Sequence, residues 1–459
     1  MSPRLQVLLK LLLGTVVIAG CEGRNQGLME VSNINSPAIF ISEASSSNSI
    51  FEDEDGDTSD WFELYNPSES SIQLIGWSVT DDISEPGKWV FPDTTIEPGE
   101  YLLLWASGKD KILHTNFKLS SKGEALSLFD AQGNWIDFLD LDGLLSDKSI
   151  GRSLSDKSKV VFYNSPSPGY QNSSKEFEGI ISSNIIFSHD GGIFDDDSVS
   201  LTGAGPLEII RYTLDATVPN PSSEVYSIPV EVNKNTVIRA SIFRDKFIPS
   251  RPATRTYVNS HMHELPIVTL VTDPQNIFDE VSGIYTDPNF LEDLETEIHF
   301  SFYEPTGELG IAMDAGVKIY GGYSRKLPQK SMAIYARGRY GYSELEYPLF
   351  PSLDYQSFQS IVLRNTGNDW LRANMRDVVA TSLMDGSGLE TQAFRPAAVY
   401  LNGEYWGFYN IREKISEHFL DDKINVKKSK INLLELDGDV IQGSNEDYFD
   451  LIEFITNNS

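Results

Sequence analysis

The sequence predicts a multidomain chain in which two all-β modules precede a region of mixed α and β structure. From about residue 39 to about residue 150, short apolar stretches alternate with turn clusters, and a similar stretch covers residues 183–258. From residue 263 onward, strand patterns are joined by a helical pattern and a hairpin. A chain of 459 residues is long enough for about three domains, each with a core of its own.

The charge balance argues against one class of function. The chain has 36 Lys and Arg residues against 67 Asp and Glu residues, which gives a net charge of -31 at pH 7. Nucleic-acid phosphates are repelled by such a field, so sequence-independent nucleic-acid binding is not expected. A local basic pocket is still compatible with this charge.

Residues 1–21 form a predicted targeting segment. Arg4 and Lys10 give a positive start, and the apolar run at residues 11–18 is too short for a conventional membrane-spanning helix. Cys21 is the only cysteine, so the chain forms no internal disulfide. An ordinary secretory signal would fit this pattern, but a lone Cys after Ala-Gly resembles a bacterial lipobox. The resemblance implies that Cys21 is lipidated and becomes the mature N-terminus.

The predicted location follows from this segment. Residues 22–36 are polar and contain Gly, Asn and Ser, which is typical of a flexible tether. No later stretch is apolar enough to span a bilayer. We therefore expect an extracytoplasmic protein that a lipid anchor holds at a bacterial membrane, at the outer membrane or the cell surface.

The first β-module is predicted over residues 37–170. The even spacing of its strand and turn patterns is typical of an antiparallel sandwich or barrel. Its stretches DEDGDTSDWFELYNPS, IQLIGWSVTDD and FPDTTIEPGEYLLLWASG are similar to those of the lamin-tail domain. This resemblance implies an immunoglobulin-like sandwich with an accessory role in adhesion or placement, and it assigns no catalytic residue.

An acidic loop in this module is a candidate calcium site. It runs from Glu52 to Asp57 and contains a glycine among its carboxylates. Clustered carboxylates around a glycine suit hard cations, but the loop lacks the spacing of an EF-hand and has no bidentate Glu at its end. A solvated acidic loop without calcium is the alternative interpretation.

The second β-module is predicted over residues 180–260, after a Ser/Pro/Gly linker at residues 165–174. A half-buried strand is predicted where Ile238, Ala240 and Ile242 alternate with Arg239, Ser241 and Phe243. The stretch RYTLDATVPNPSSEVYSIPVEV resembles the C-terminal module of chitobiase and β-hexosaminidases, which serves as a spacer or support. No convergent acid pair occurs in it, so a glycosidase would lack its catalytic carboxylates.

A basic segment follows in the mixed region. In GVKIYGGYSRKLPQKSMAIYA, residues 316–336, every charged side chain is basic. The pattern predicts a strand, a glycine turn, a basic loop and a second strand. Glycine lets a backbone come close to a ligand, and nearby polar side chains can donate to phosphate oxygens. The candidate phosphate-binding residues are Gly321, Gly322, Ser324, Arg325 and Lys330. A plain hairpin with a basic rim is the alternative.

A helix is predicted after a strand that ends near Arg364. Asn368 is a suitable N-cap, and Gly386 or Gly388 would end the helix. The apolar stripe of this helix consists of Leu371, Met375, Val378, Val379 and Leu383, while Asp369, Arg372 and Arg376 fall on a charged face.

A hairpin rich in aromatic residues closes this set of elements. Asn402-Gly403 between apolar residues predicts a tight β-turn. The second strand then ends abruptly on three charged residues, Arg412, Glu413 and Lys414. A core hairpin with a solvated exit would explain these charges. The alternative is that the strand delivers the chain to a ligand cleft.

The order of these elements is that of the N-lobe of a protein kinase: strand, glycine turn, strand, helix, hairpin and charged connector. The usual kinase motifs are absent. Instead, residues 263–459 resemble the CotH (spore-coat H) family of atypical protein kinases. The resemblance is carried by GVKIYGGYSRKLPQKS, IVLRNTGNDW, MRD at 375–377, FRP at 394–396 and YLNGEYWGFYNIREKI.

The CotH resemblance implies phosphoryl transfer from ATP to protein hydroxyls, with Mg²⁺ or Mn²⁺ as the metal. It places Lys330 at a nucleotide phosphate, with Ser324 and Arg325 in the same loop. Glu413 would lie at the hinge edge, near the nucleotide. Together with the other resemblances, it predicts two immunoglobulin-like β-sandwich modules followed by a partial α+β kinase-like domain.

The carboxylates that a kinase needs in its second lobe are not recognised in this sequence. Glu435, Asp437 and Asp439 follow the connector, but their context differs from the family's metal-binding Asp motifs, so the catalytic residues stay unassigned. We therefore expect a CotH-type kinase whose catalytic domain is incomplete in this chain and whose partner is a protein phosphoacceptor. The rival hypothesis is a structural or adhesive surface protein that binds a partner through its β-modules.

Overall fold

The computed structural model describes residues 39–120, 123–194, 198–258, 264–424 and 426–458. Within these ranges the chain forms two β-sandwich modules and then a closed barrel that carries short helices, which confirms the predicted fold class. The predicted signal segment, Cys21 and the tether lie outside the described residues. In the described part of the chain, no helix is long and apolar enough to cross a membrane.

The first module is a sandwich of antiparallel sheets. Its strands are β1 (Phe40–Ser45), β2 (Asp60–Tyr65), β3 (Ile72–Gln73), β4 (Ser78–Thr80), β5 (Trp89–Val90), β6 (Thr95–Ile96), β7 (Tyr101–Ala106), β8 (Ala125–Phe129), β9 (Trp135–Asp140), β10 (Ser149–Arg152), β11 (Val160–Tyr163) and β12 (Glu176–Phe177). One sheet has the order β12-β11-β10-β1-β2-β7 and the other β5-β4-β8-β9. Inward apolar residues such as Ile41, Phe62 and Leu126 fill the space between the sheets.

The second module is built around one five-stranded sheet. Its strands are β13 (Gly179–Ile180), β14 (Ile186–Phe187), β15 (Gly192–Ile193), β16 (Ser198–Val199), β17 (Leu201–Thr202), β18 (Ile209–Thr213), β19 (Glu224–Val225), β20 (Val230–Glu231), β21 (Thr236–Phe243), β22 (Phe247–Ile248) and β23 (Ala253–Val258). The main sheet has the order β15-β23-β21-β18-β19. The core face of β21 is buried as predicted, but Ser241 and Phe243 on the other face are buried too. The expectation of a half-buried strand is therefore wrong, because this second face lines a cavity that the other regions close.

The mixed region contains a seven-stranded barrel with short helices outside it. The strands of the mixed region, which include four outside the barrel, are β24 (Ile267–Val271), β25 (Glu295–Tyr303), β26 (Leu309–Tyr320), β27 (Ser331–Tyr335), β28 (Leu345–Glu346), β29 (Ser357–Phe358), β30 (Ser360–Arg364), β31 (Phe394–Leu401), β32 (Glu404–Glu413), β33 (Leu433–Glu435) and β34 (Asp439–Gln442). Its helices are α1 (Pro274–Phe278), α2 (Arg376–Ser382), α3 (Glu417–Ile424) and α4 (Glu446–Asn457). The barrel closes in the order β24-β25-β26-β27-β30-β32-β31, and alternate residues of these strands form its core.

The second module packs directly on the barrel. Tyr303 of β25 lies against Gly192, where a Cβ atom would come within 2.6 Å of its ring. The Tyr303 hydroxyl donates to the Asp190 carbonyl at 3.3 Å. A buried apolar cluster joins the two regions and consists of Val258, Ile267, Tyr303, Ala398 and Tyr400.

The aromatic hairpin is formed by β31 and β32, as predicted. Asn402 and Gly403 have φ values of 50° and 84°, which a tight two-residue turn of this kind requires. The turn faces the second module, since a Cβ atom on Gly403 would lie 3.2 Å from Val237. At the other end, Arg412 and Glu413 are 2% and 3% exposed. The explanation by a solvated exit is therefore wrong for these two residues.

The helix predicted from Asn368 begins later than expected. Residues Gly367–Asp369 form a 3-10 turn, and α2 begins only at Arg376. Leu371 and Asn374 have φ values of 58° and 57°, which interrupt a right-handed helix. Of the predicted apolar stripe only Val378 is buried, whereas Leu371, Val379 and Leu383 are exposed. The helix also ends at Ser382, before the predicted glycine stops.

Candidate functional site

A glycine turn joins β26 and β27 at one end of the barrel. Gly321 has a φ of 103°, and a Cβ atom there would lie 2.6 Å from Ser324 Oγ, so glycine is required. The segment Tyr323–Lys326 then forms a 3-10 turn. A Cβ atom on Gly322 would meet nothing within 4 Å. The backbone at Gly322 is thus open to approach by a ligand.

Arg325 and Lys330 hold this loop in position. The Arg325 guanidinium donates to the carbonyls of Phe290 and Leu291, each at 3.2 Å. The Lys330 ammonium donates to the carbonyls of Arg325 at 2.6 Å and Leu327 at 3.1 Å. It also lies 4.0 Å from the centre of the Phe290 ring, and burial lowers the pKa of Lys330. Both cations already have partners in the protein, so a phosphate contact by Lys330 would require it to leave them.

The structure does not bring Lys330 and Glu413 together. Met332 and Ile411 lie at the same level of the barrel, because both are aligned with Leu363. Lys330 precedes Met332 by two residues, and Glu413 follows Ile411 by two residues. Side chains two residues apart on a strand share a face, so Lys330 and Glu413 both belong to the interior face but lie on opposite sides of this level. At about 3.3 Å per residue, the two positions are separated by about 13 Å along the strands.

Glu413 has a structural environment of its own. Its carboxylate accepts hydrogen bonds from the Tyr355 hydroxyl and, at 2.7 Å, from the Ala393 amide. Lys423 of α3 lies 3.2 Å from the same carboxylate. These contacts fix the exit of β32 against the helix that follows the charged connector.

The same strands carry a different set of residues on the outside of the barrel. Their core neighbours Val317, Ile334, Leu363 and Ile411 point inward, so the alternate positions point outward. We call this surface the outer face, and its defining residues are Lys318, Tyr320, Tyr335, Arg364 and Arg412. It lies on the far side of the barrel wall from the Lys330 and Glu413 side chains.

One carboxylate joins the outer face to α2. The Asp377 side chain lies 2.5 Å from Arg364 Nε and 3.3 Å from Arg412 Nη1, and both contacts use Oδ2. Arg412 also donates to Thr381 Oγ1 and the Gln392 carbonyl, each at 3.4 Å. Burial lowers the pKa of Arg412, and Asp377 opposes this effect. The helix is therefore held on β30 and β32 by a shared ion cluster.

Arg364 lies next to the glycine turn and is partly open to solvent. It follows Leu363, which pairs with Met332 of β27. Ser331, the residue before Met332, pairs with Tyr320, and Gly321 follows Tyr320 directly. The Arg364 side chain is 36% exposed, in contrast to the enclosed Arg412. Burial raises the pKa of Tyr320, and the nearby positive charge of Arg364 opposes this shift. Arg364 thus offers an anchored guanidinium below an open glycine backbone.

Two lysines flank an aromatic ring farther along the outer face. Lys318 Nζ and Lys414 Nζ each lie 5.7 Å from the centre of the Tyr335 ring. Lys318 is also paired with Asp293 at 2.8 Å. Burial lowers the pKa of Lys414. The outer face together with Lys414 therefore combines four cations with aromatic surface, which suits an anionic ligand that contains a ring.

Asp369 binds the backbone amides at the N-terminus of α2. Its carboxylate accepts from the amides of Met375 at 3.0 Å and Arg376 at 3.1 Å, and it pairs with Arg376 Nε at 3.0 Å. Although burial opposes the shift, these amides lower the pKa of Asp369. Asp369, and not the predicted Asn368, therefore caps the helix, across an intervening loop.

The described residues do not present a suitable set of ligands for a divalent metal at the outer face. Asp377, its central carboxylate, is already shared by two arginines. The one group of three metal-ligating side chains found in the described ranges is Asp53, Asp55 and Asp57, in the first module. Lys109 Nζ lies between these carboxylates, at 2.6–2.8 Å from each. This ammonium stands where the calcium hypothesis would place a cation.

Comparisons with protein families agree with this architecture. Residues 317–457 match the family model described as CotH kinase protein, and this stretch includes the whole outer face, the glycine turn and α2. The chain carries a CotH kinase-family region. Residues 35–143 match the Lamin Tail Domain model and residues 189–254 match the chitobiase/beta-hexosaminidase C-terminal domain model. The three predicted domain resemblances are confirmed. No curated protein matches the chain significantly.

The CotH region contains a charged pair that the sequence analysis did not assign to the site. Arg364 was recognised only as a strand end, and Asp377 only as part of the MRD motif. The signal that could have found them is a basic residue at a strand end followed by an acid in the first turn of the next helix. The predicted glycine turn, Ser324, Arg325 and Lys330 do lie together, while Glu413 lies apart.

Proposed function

We propose that the CotH region binds the phosphates of ATP on the outer face, below the glycine turn, and transfers a phosphoryl group to protein hydroxyls. The observation that carries this proposal is the ion pair between Arg364 and Asp377. In protein kinases, a strand cation below a glycine-rich loop contacts the nucleotide phosphates, and an acid of the neighbouring helix holds that cation in place.

The order of elements supports the comparison. β26, the glycine turn, β27, β30 and α2 follow one another, and Arg364 and Asp377 occupy the strand and the helix of this series. The role of the strand cation thus fits Arg364 better than Lys330, whose ammonium is engaged by loop carbonyls on the other side of the barrel wall. Arg364 can present two parallel donors to a phosphate, as a guanidinium does.

ATP would supply the phosphoryl group, and this chain's own residues would bind and orient it. The open backbone at Gly322 is suited to approach by phosphate oxygens, and Tyr335 between Lys318 and Lys414 offers a surface for the remainder of the nucleotide. The dependence on Mg²⁺ or Mn²⁺ that the family implies has no matching ligand set among the described residues of the outer face.

The test compares ATP binding by three single variants. In isothermal titration, Arg364→Ala should weaken ATP binding by roughly 10- to 100-fold, because one charge-assisted contact contributes about 1.5–3 kcal/mol. Arg372→Ala is the matched control, since Arg372 is exposed in the same segment and should leave binding unchanged. Lys330→Ala distinguishes the two candidate cations: it should affect ATP binding less than Arg364→Ala.

Two results would overturn this assignment. Equal ATP binding by the wild-type protein and Arg364→Ala would show that the outer face is not the phosphate site. Complete loss in Lys330→Ala, with the loop still folded, would return the role to Lys330. If the wild-type protein shows no interaction with ATP, with or without Mg²⁺ and Mn²⁺, the structural or adhesive function of the β-modules becomes the better explanation.

We also propose that the protein works outside the cytoplasm, held at a bacterial membrane by a lipid on Cys21. The support is the sequence of residues 1–21 alone, which contains a short apolar run and the chain's single cysteine. A phosphoacceptor in this compartment would be a surface or periplasmic protein.

A further inference from the structure

A cavity of about 890 Å³ lies where the first module, the second module and the barrel meet. Its walls come from the loop at residues 145–148, from the hairpin at residues 243–252, and from Glu297 and Asp314 of the barrel. A volume of this order is in the range of known ligand sites, and junctions between domains are common places for them. The outer face described above does not contribute to this cavity.

The walls of the cavity are fixed by contacts between all three regions. Ser146 Oγ donates to the Arg339 carbonyl at 3.0 Å, which links the first module to the barrel. Arg251 of the second module donates to the same Ser146 hydroxyl oxygen at 2.8 Å. Lys148 Nζ donates to the Asn164 carbonyl at 3.2 Å. A ligand would thus meet a preformed surface.

One wall combines apolar side chains with cations. Ile209 pairs with Phe243 across β18 and β21, and Arg211 pairs with Ser241 two register positions along the same strands. Leu207 beside them is 83% exposed. Along the whole cavity basic side chains outnumber acidic ones, although the chain carries a net charge of -31.

A further cation of this wall belongs to the hairpin. Arg244 stacks on Phe247 with its guanidinium carbon 4.1 Å from the ring centre. Both side chains line the cavity. The stacking holds the guanidinium at the wall, where its donors are available to an anionic group.

The same wall contains a buried polar group without a partner. Ser241 is 1% exposed and lines the cavity, and its hydroxyl has no hydrogen-bond partner among the described residues. Buried hydroxyls are normally satisfied, so an unpaired one facing a cavity indicates a position that a ligand's polar group can fill. Burial also lowers the pKa of Lys148, which an anionic neighbour would reverse.

On the barrel side, the wall of the cavity contains acidic side chains. Glu297 and Asp314 face it, and burial followed by the charge of Asp314 raises the pKa of Glu297. A uniformly charged polyanion would be repelled at this end. A ligand that alternates negative charge with apolar groups can place its charges on the arginine wall and avoid the carboxylates.

We infer that this cavity binds an acidic peptide segment that carries apolar side chains. The peptide carboxylates would lie against Arg211, Arg244 and Arg251, and the apolar side chains would cover Ile209 and Phe243. A backbone amide or carbonyl of the peptide would pair with the hydroxyl of the buried serine described above. Binding here does not depend on phosphoryl transfer or on ATP.

The experiment measures fluorescence anisotropy of a fluorescein-labelled octapeptide of alternating Glu and Leu on the full chain. Saturable binding is expected, and higher salt should weaken it because the arginines are partly exposed. Arg244→Ala should weaken binding by about tenfold, and Ser241→Leu, which fills the cavity with a side chain, should do so independently. Lys159→Ala, at an exposed position outside the cavity, is the control and should bind like the wild-type protein.

Several results would overturn the inference. An octapeptide of alternating Lys and Leu that binds equally well would show that charge does not select the ligand. Equal binding by labelled dT8 would show a general polyanion site and not a peptide site. Unchanged affinity in both Arg244→Ala and Ser241→Leu, with melting temperatures near that of the wild-type protein, would place the peptide elsewhere.

Discussion

Arg364, the last residue of β30, is bound to Asp377, the second residue of α2, through a contact of 2.5 Å between Nε and Oδ2. The same carboxylate oxygen is 3.3 Å from the buried Arg412. One acidic side chain thus neutralises a cation that faces solvent and a cation that does not. This arrangement positions Arg364 below the glycine turn and at the same time holds α2 on the barrel.

Asp377→Asn should therefore destabilise the protein. The substitution keeps the size of the side chain but leaves Arg412 buried without a counter-charge, which costs about 3 kcal/mol when one partner of a buried pair is removed. The free energy of unfolding in urea measures this loss. Asp385→Asn is the control, since Asp385 is exposed in the turn after α2, and its effect should stay within about 0.5 kcal/mol. Equal unfolding midpoints for Asp377→Asn and the wild-type protein would contradict the role of the shared carboxylate.

Lys330→Met should loosen the glycine loop. Methionine keeps the apolar contact with Phe290 but cannot donate to the carbonyls of Arg325 and Leu327. We expect faster amide exchange at residues 321–329 and a loss of about 1.5–3 kcal/mol in stability, as for hydrogen bonds from a charged group. Lys326→Met is the matched control in the same loop, because Lys326 is exposed. Wild-type exchange rates in Lys330→Met would show that the ammonium does not hold the loop.

The acidic loop of the first module should not respond to calcium. Lys109 Nζ is 2.6 Å from the Asp53 carboxylate and within 2.8 Å of those of Asp55 and Asp57, so an ammonium already balances the site. The melting temperature of the wild-type protein should stay constant up to about 1 mM calcium, above the range in which regulatory sites fill. Lys109→Met should melt at a lower temperature and should regain stability with calcium. Lys159→Met, at an exposed position, should show neither effect. A calcium-dependent rise for the wild-type protein would show that calcium displaces the ammonium.

Cys21→Ser should release the protein from membranes. Lipidation requires the thiol, so the variant should lose the lipid and leave the membrane fraction. Metabolic labelling with a palmitate analogue and fractionation in high salt measure both effects. Ser32→Ala, in the predicted tether, is the control and should stay lipidated and membrane-bound. Membrane association of Cys21→Ser in high salt would mean that another part of the chain holds it there.

The sequence predicts the elements of this protein better than the partners of its charged side chains. The hairpin turn at Asn402-Gly403 was predictable because the turn type is local and needs a positive φ at both residues. The helix start was not, because Asp369 caps α2 through the amides of Met375 and Arg376, six and seven residues later in the chain. A contact across a loop of this kind leaves no periodic signal.

The candidate site shows the same limit. The glycine turn with Arg325 and Lys330 could be found from sequence because the residues are close together in the chain. The Arg364–Asp377 pair depends on how β30 packs against α2, which the sequence does not show. Whether Lys330 or Arg364 is the better candidate for the phosphate-binding cation depends on the side of the barrel wall that each side chain occupies. Strand alternation decides that side only once the core residues are known.

Two buried glutamates should make the stability of the first module depend on pH. Glu43 and Glu63 are directly opposite each other on β1 and β2, and both are fully buried. Glu43 accepts from Ser167 Oγ at 2.9 Å, and Glu63 accepts from the Gly169 amide at 2.8 Å. Burial raises the pKa of Glu43 to about 7 and that of Glu63 to about 8. Both carboxyl groups contact the linker segment, and because burial disfavours their charged forms, they are protonated in the folded protein below these pKa values.

Raising the pH should therefore destabilise this module. The unfolded chain releases these protons near pH 4.5, whereas the folded protein keeps them to about pH 7 or 8, so the free energy of unfolding should fall as the pH rises through this window. Each retained proton contributes a slope of about 1.4 kcal/mol per pH unit. Urea unfolding from pH 4 to pH 9 should show this fall in the wild-type protein, and Glu63→Gln, which cannot ionise, should reduce it. Glu69→Gln at an exposed position is the control and should keep the wild-type slope. Parallel pH profiles for Glu63→Gln and the wild-type protein would show that Glu63 is ionised in the fold.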